Sequence, residues 1–178
     1  MRLILAVIWL LGTGLHAATL EKLTLDDMIQ KSTDIVRAKV GSSYAAFRGS
    51  IIYTNFKIQV LERWKGTDQP AMEVSVPGGI AGGLRQSFAG VPQLIDGKEY
   101  LLFLWKGKTG GTQVIGFTQG VFQLPNGSSA ESTAVRAATT ETMLEPGTGR
   151  VIKDERIEMR LQDLRTQITK TLAKGTTK

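Results

Sequence analysis

Apolar and polar residues alternate roughly from Ile35-Val36-Arg37-Ala38-Lys39-Val40, the period-two signature of a half-buried strand. The strand continues irregularly over residues 41–46, and Arg48-Gly49-Ser50 turns the chain back. The next strand is the clearest: Ile52, Thr54, Phe56, Ile58 and Val60 share one face, with Tyr53, Asn55, Lys57 and Gln59 on the other. One apolar and one amphiphilic face predict an antiparallel sheet or barrel wall. Residues 61–66 close it into a turn, and Met72-Glu73-Val74-Ser75-Val76 predicts a third strand, stopped by Pro77-Gly78-Gly79. Tyr100-Leu101-Leu102-Phe103-Leu104-Trp105 is apolar on both faces and reads as a central strand between a barrel interior and a covering helix. Residues 114–117 and 121–124 predict a last hairpin about Gln119-Gly120, followed by a turn at Asn126-Gly127. Residues 131–148, rich in Ser, Thr and Ala, show no assignable period.

Two helices flank these strands. Thr24 is a good N-cap, Asp26 and Asp27 suit the positive end of the helix dipole, Leu25, Met28 and Ile29 form an apolar face, and residues 32–34 end the helix. A second helix is expected from about Asp154, where Ile157, Leu161, Leu164, Ile168 and Leu172 form one stripe. That stripe either docks on the chain's own barrel or pairs with a partner, docking being the commoner outcome. The fold class expected is mainly β with flanking helices: a small antiparallel β-barrel, OB-like, or a sandwich, plus the C-terminal helix.

The first residues follow a different grammar. Arg2 is followed by the apolar run of residues 3–11, a break at Gly12-Thr13-Gly14, and small residues at Ala17 and Ala18. This predicts a signal peptide over residues 1–18 and a single β-rich domain over 19–178. The run is well short of the ~20 residues that span a bilayer, and no later stretch approaches that length. The expectation is an exported protein, periplasmic or extracellular, with no transmembrane segment after cleavage.

Composition then removes chemistry. The chain has no cysteine, and its single histidine, His16, lies in the expected leader. The remaining domain therefore offers no Ser-His-Asp triad, no thiol nucleophile and no ordinary zinc or haem site, and no cofactor is expected. Carboxylates remain: Asp26, Asp27 and Glu62 are the visible candidates for paired acid-base work. Their bland readings are helix-start charges and a solvated strand end, and neighbours on a helix point apart. Gly107-Lys108-Thr109 echoes the end of a phosphate loop, but Leu102 stands where the motif needs glycine, so the string reads as a turn. The net charge of +6 is scattered rather than clustered, which argues against nucleic acid as a partner.

The most unusual segment is residues 77–92, where five glycines surround Ile80, Leu84, Arg85 and Phe88. One reading is a binding loop mounted on a rigid barrel. The other is a wide connection whose apolar side chains tuck beneath the barrel, which the general burial of such residues favours. A partner-binding site on this chain, if it has one, is expected at Ile80, Leu84, Arg85 and Phe88.

Residues 34–40, Ile52-Tyr53-Thr54-x-Phe56, Val60-Leu61-Glu62-x-Trp64-Lys65-Gly66, residues 96–104 and Gln113-Val114-Ile115-Gly116-Phe117-x-Gln119-Gly120-Val121-Phe122 occur in an order that resembles an uncharacterised exported bacterial domain. That domain is sometimes found ahead of matrixin-like metalloprotease regions. More distantly, the strand order is similar to the OB-like barrel of tissue inhibitors of metalloproteases and netrin-type modules. Those inhibitors chelate the protease zinc through an N-terminal cysteine, which this chain lacks, so the mechanism does not carry over. No His-Glu-x-x-His is present either, so the chain is not the protease. The resemblance implies an exported, non-enzymatic module that binds an unknown protein, with a protease-related one the candidate it suggests. An envelope polysaccharide binder, using exposed aromatics such as Tyr44, Tyr53 and Trp64, is the alternative. A carboxylate-dependent hydrolase is a third reading.

Overall fold

The computed structural model describes residues 19–107 and 111–175. The expected leader with His16, Lys108 and Thr109 of the phosphate-loop-like string, and the end of the lysine-rich tail lie outside the described residues.

The described residues open with β1 (Thr19–Glu21) and α1 (Leu25–Lys31). Thr24 and Asp27 form a reciprocal capping box at the start of α1, and Met28 and Ile29 are its buried residues. Next come β2 (Asp34–Arg48), β3 (Ile51–Lys65), β4 (Ala71–Pro77), β5 (Gly79–Ala81), β6 (Leu84–Gln86), β7 (Glu99–Lys106) and β8 (Thr112–Val114). After a 3₁₀ turn at Phe117–Gly120 follow β9 (Val121–Leu124), β10 (Thr133–Arg136), β11 (Thr142–Leu144), β12 (Val151–Ile152) and β13 (Ile157–Arg160). The helix α2 (Leu161–Gly175) follows directly.

β2 and β3 form one long antiparallel hairpin, and β7, β2, β3, β4 and β8 pair in succession, with β8 pairing back onto β7. The seam between β4 and β8 is a single parallel pair, Ser75 with Gln113. The protein is thus mainly β, with a small, partly open, barrel-like sheet. From β7 the sheet also runs outward through β9 and β10 to β13. A separate small sheet joins β1, β11 and β12.

β7 is the central strand, as its two apolar faces predict. Tyr100, Leu102 and Leu104 point into the barrel with Val36, Val40 and Ile58, whereas Leu101 and Phe103 face a second cluster with Ile29, Leu164 and Ile168 of the two helices. The rings of Phe103 and Phe122 lie 5.8 Å apart and tilted in that second cluster. The C-terminal helix therefore docks on its own domain.

Four local expectations change. The second helix begins at Leu161 rather than near Asp154, because residues 157–160 pair with β10 as a strand. Strand β3 runs on through residues 61–65, with register shifts against β2 that keep Glu62 opposite Arg37. Residues 114–117 and 121–124 do not pair with each other. β8 takes Leu104–Lys106 of β7 and β9 takes Glu99–Leu102, so the two follow one another along one edge of β7. The unassigned stretch 131–148 supplies β10 and β11.

Candidate functional site

The glycine-rich segment is a hairpin rather than a wide loop. β5 and β6 pair with Ile80 opposite Arg85 and Ala81 opposite Leu84. The two-residue tip, Gly82-Gly83, has φ of 55° and 76°, the positive pair that a tight hairpin turn demands.

This hairpin lies against the far end of the β2–β3 arm, clamped by glycine and glutamine. The Gly78 amide donates to the Ile52 carbonyl (2.7 Å), and the Thr54 hydroxyl donates to the Gly78 carbonyl (2.8 Å). At Gly79 a Cβ would stand 2.6 Å from Thr54 Oγ1, so only a bare backbone approaches this closely. The Gln86 amide stands in for a further strand: its oxygen accepts from the Ile52 amide (2.7 Å) and its nitrogen donates to the Ser50 carbonyl (2.9 Å).

The expectation that the apolar residues tuck beneath the barrel is overturned. Ile80 and Leu84 are each 59% exposed and Phe88 is 41% exposed. The backbone is what lies close to the arm, leaving these side chains outside. Register puts Ile80 and Arg85 on one face of the hairpin, and Leu84 on the other face with Gln86, above the arm. Phe88 lies beside Gly78. Phe47, 47% exposed at the end of β2, reaches the hairpin tip at Gly82 and was not evident as a site residue from sequence. Its only sequence signal is an aromatic residue one position before a basic turn, Arg48-Gly49-Ser50. One end of the molecule thus gathers Phe47, Ile80, Leu84 and Phe88, with Arg48 and Arg85 also exposed.

The other candidates are dispersed. Tyr44 and Tyr53 lie on one face of the β2–β3 sheet, where Tyr44 donates to Glu73 and Arg48 stacks 4.6 Å from the Tyr53 ring. Trp64 instead packs on the helix-side cluster, donating its indole N–H to Glu62. The three aromatics form no row. Asp27 is spent on the α1 cap, and Asp26 accepts from the Thr171 hydroxyl of α2 (2.8 Å).

Glu62 belongs to a different arrangement. Arg37 lies between two carboxylates, Glu62 at 2.6 Å and Glu99 at 3.0 Å. Burial pushes Glu99 up, but the Gly127 amide and Arg37 outweigh it and hold the carboxyl below its usual range. For Glu62, burial is likewise outweighed by the Trp64 indole and Arg37. Two depressed carboxylates clamped to one arginine supply neither a proton donor nor a free base at neutral pH. No group of acidic residues among the described residues is spaced to hold a metal.

No family model, curated protein or solved structure matches this chain. What the surface can do is therefore decided by its own chemistry. Exposed apolar side chains on both faces of a clamped hairpin, beside Arg85, can bury themselves against another surface.

Proposed function

We propose that this chain is an exported, non-enzymatic module that binds another protein through the β5–β6 hairpin. The observation that carries the reading is the exposure of Ile80, Leu84 and Phe88 around Arg85 at one end of the barrel. Singly exposed apolar residues are ordinary, whereas four on and beside one hairpin locked onto its support, with Arg85 among them, favour an interface. The leader pattern supports export, and the resemblance to the domain ahead of matrixin-like proteases makes a protease-related protein the first partner to try.

The test uses residues 19–178 and the variant Ile80→Ser, Leu84→Ser, Phe88→Ser, each passed over extracts of the native envelope and medium. These side chains are solvent-facing, so the variant is expected to keep its circular dichroism and melting temperature while losing the partner. A folded variant that retains every partner of the parent would refute the assignment of the hairpin.

A further inference from the structure

The β2 strand carries a bare edge beside the hairpin. Over Asp34–Lys39 its outer edge is taken by β7, and at Val40 by Gly97 and Lys98, whose main-chain bonds to it are 2.9 Å each. From Gly41 onward the only main-chain partner of β2 among the described residues is β3, and the pairs run from Ser43 with Phe56 to Arg48 with Ile51. Antiparallel strands turn alternate amides and carbonyls outward, so this outer edge presents unpaired donors and acceptors in the spacing of another strand.

Natural edge strands are ordinarily blunted by charge, proline or a covering element. Ser42-Ser43-Tyr44-Ala45-Ala46-Phe47 carries no charge and no proline, and Tyr44 and Phe47 are about half exposed. The β5–β6 hairpin does not cover the edge: Gly79 sits over the face of the arm, near Ala45 and Ile52. The surroundings are mostly basic. Arg48 ends the strand, Arg85 lies on the adjacent hairpin, and Lys39 and Lys57 line, with Asp96, an open groove of about 590 Å³ at the foot of the edge; Glu73 of β4, bonded to Tyr44, is the other acid nearby. No carboxylate occurs on β2 after Asp34.

We infer that the β2 edge over Ser43–Arg48 is a strand-addition site for an extended segment of a partner protein whose side chains alternate apolar and acidic. The inference rests on the docking reading above and specifies how the partner engages. Main-chain bonds to the edge supply the affinity, and the alternation supplies specificity. One side of the added strand meets the hairpin face with Phe47, where apolar residues fit; the other passes the Tyr44–Glu73 hydrogen bond and reaches Arg48, where a carboxylate fits.

The experiment starts with amide exchange of residues 19–178 followed by NMR. Alternate amides within Ser43–Arg48 are expected to exchange freely, while their neighbours bonded to β3 are protected. Short phage-displayed peptides with alternating apolar and acidic positions are then selected on the protein, and the best is synthesised with and without N-methylation of alternate amides. The expected result is protection of the free Ser43–Arg48 amides by the parent peptide and binding at least about tenfold weaker after methylation, the loss of one or two main-chain bonds to the edge. Uniform protection in the free monomer, or peptide binding that leaves these amides exchanging, would overturn the inference. Concentration-dependent protection with a dimer by light scattering would also overturn it, making a second copy the occupant. If the hairpin variant loses the native partner while selected peptides leave the edge unprotected, the docking reading stands and the edge assignment alone fails.

Discussion

At the scale of single residues, glycines show what spacing can and cannot announce. Gly82-Gly83 reads from sequence only as part of a glycine-rich loop, and its two positive φ values are those of a tight turn. Gly120 gives no such signal, yet a Cβ there would lie 2.4 Å from the Ile115 carbonyl oxygen and 3.1 Å from that of Phe103. These two obstacles are backbone, and the Val114 side chain crowds the same space at 2.9 Å, so Gly120→Ala has little room to relax. We expect it to cost about 2 kcal/mol or more, read as a shifted urea midpoint at unchanged m-value. Arg136 and Asp154 make a comparable point. The guanidinium donates twice to the buried carboxylate at 2.9 Å, and the Thr139 amide donates to the same group. Arg136→Met leaves Asp154 buried without its counter-ion, and a loss of about 3–5 kcal/mol is expected by the same assay. Neither residue stands out in sequence, because each is ordinary until the fold brings it to the other.

At the scale of elements, α2 separates local from tertiary information. Its stripe was legible, and Leu161, Leu164 and Ile168 are indeed buried. Its start was not. Ile157, Met159 and Leu161 fit a period of two as well as Ile157, Leu161 and Leu164 fit a helix, and β10 decides between them by pairing Ala134 with Met159. Docking of α2 on the barrel is carried by Leu164, which is fully buried against the helix-side cluster. Leu164→Ala is expected to cost about 2–5 kcal/mol and to raise amide exchange across α2. Unchanged stability and exchange would mean that the helix is not held there. β8 and β9 illustrate the same limit, since two short apolar strands around Gln119-Gly120 look like a hairpin until β7 takes both along one edge.

At the scale of the whole molecule, ionised carboxylates tie strands to one another. Arg37 joins β2 to Glu62 on β3 and Glu99 on β7, and Arg136 ties β10 to Asp154. Burial pushes Asp154 up, but Arg136 and the Thr139 amide hold it low, as Arg37 and its neighbours do for Glu99. A carboxyl whose folded pKa is depressed stabilises the fold above its unfolded value and loses that contribution as pH falls through the folded value. Urea midpoints should therefore hold at neutral pH and fall below the ordinary glutamate value of 4.5. Arg37→Met should flatten the acid limb, because Glu99 then titrates closer to its unfolded value. An unchanged acid limb in that variant would remove Arg37 as the cause.

Periodicity along the chain determined that the protein is mainly β, that its first helix is capped at Thr24, that β7 is central, and that a glycine-rich segment interrupts the strands. Those features depend on neighbours within a few residues, where side-chain spacing and backbone preference act directly. Tertiary structure alone decided that the segment folds into a clamped hairpin, that Ile80, Leu84 and Phe88 face outward, and that Phe47 joins them. An apolar side chain is buried or exposed according to what its backbone lies against, and here Gly78, Gly79 and Gln86 bring the backbone to the β2–β3 arm, leaving the side chains outside.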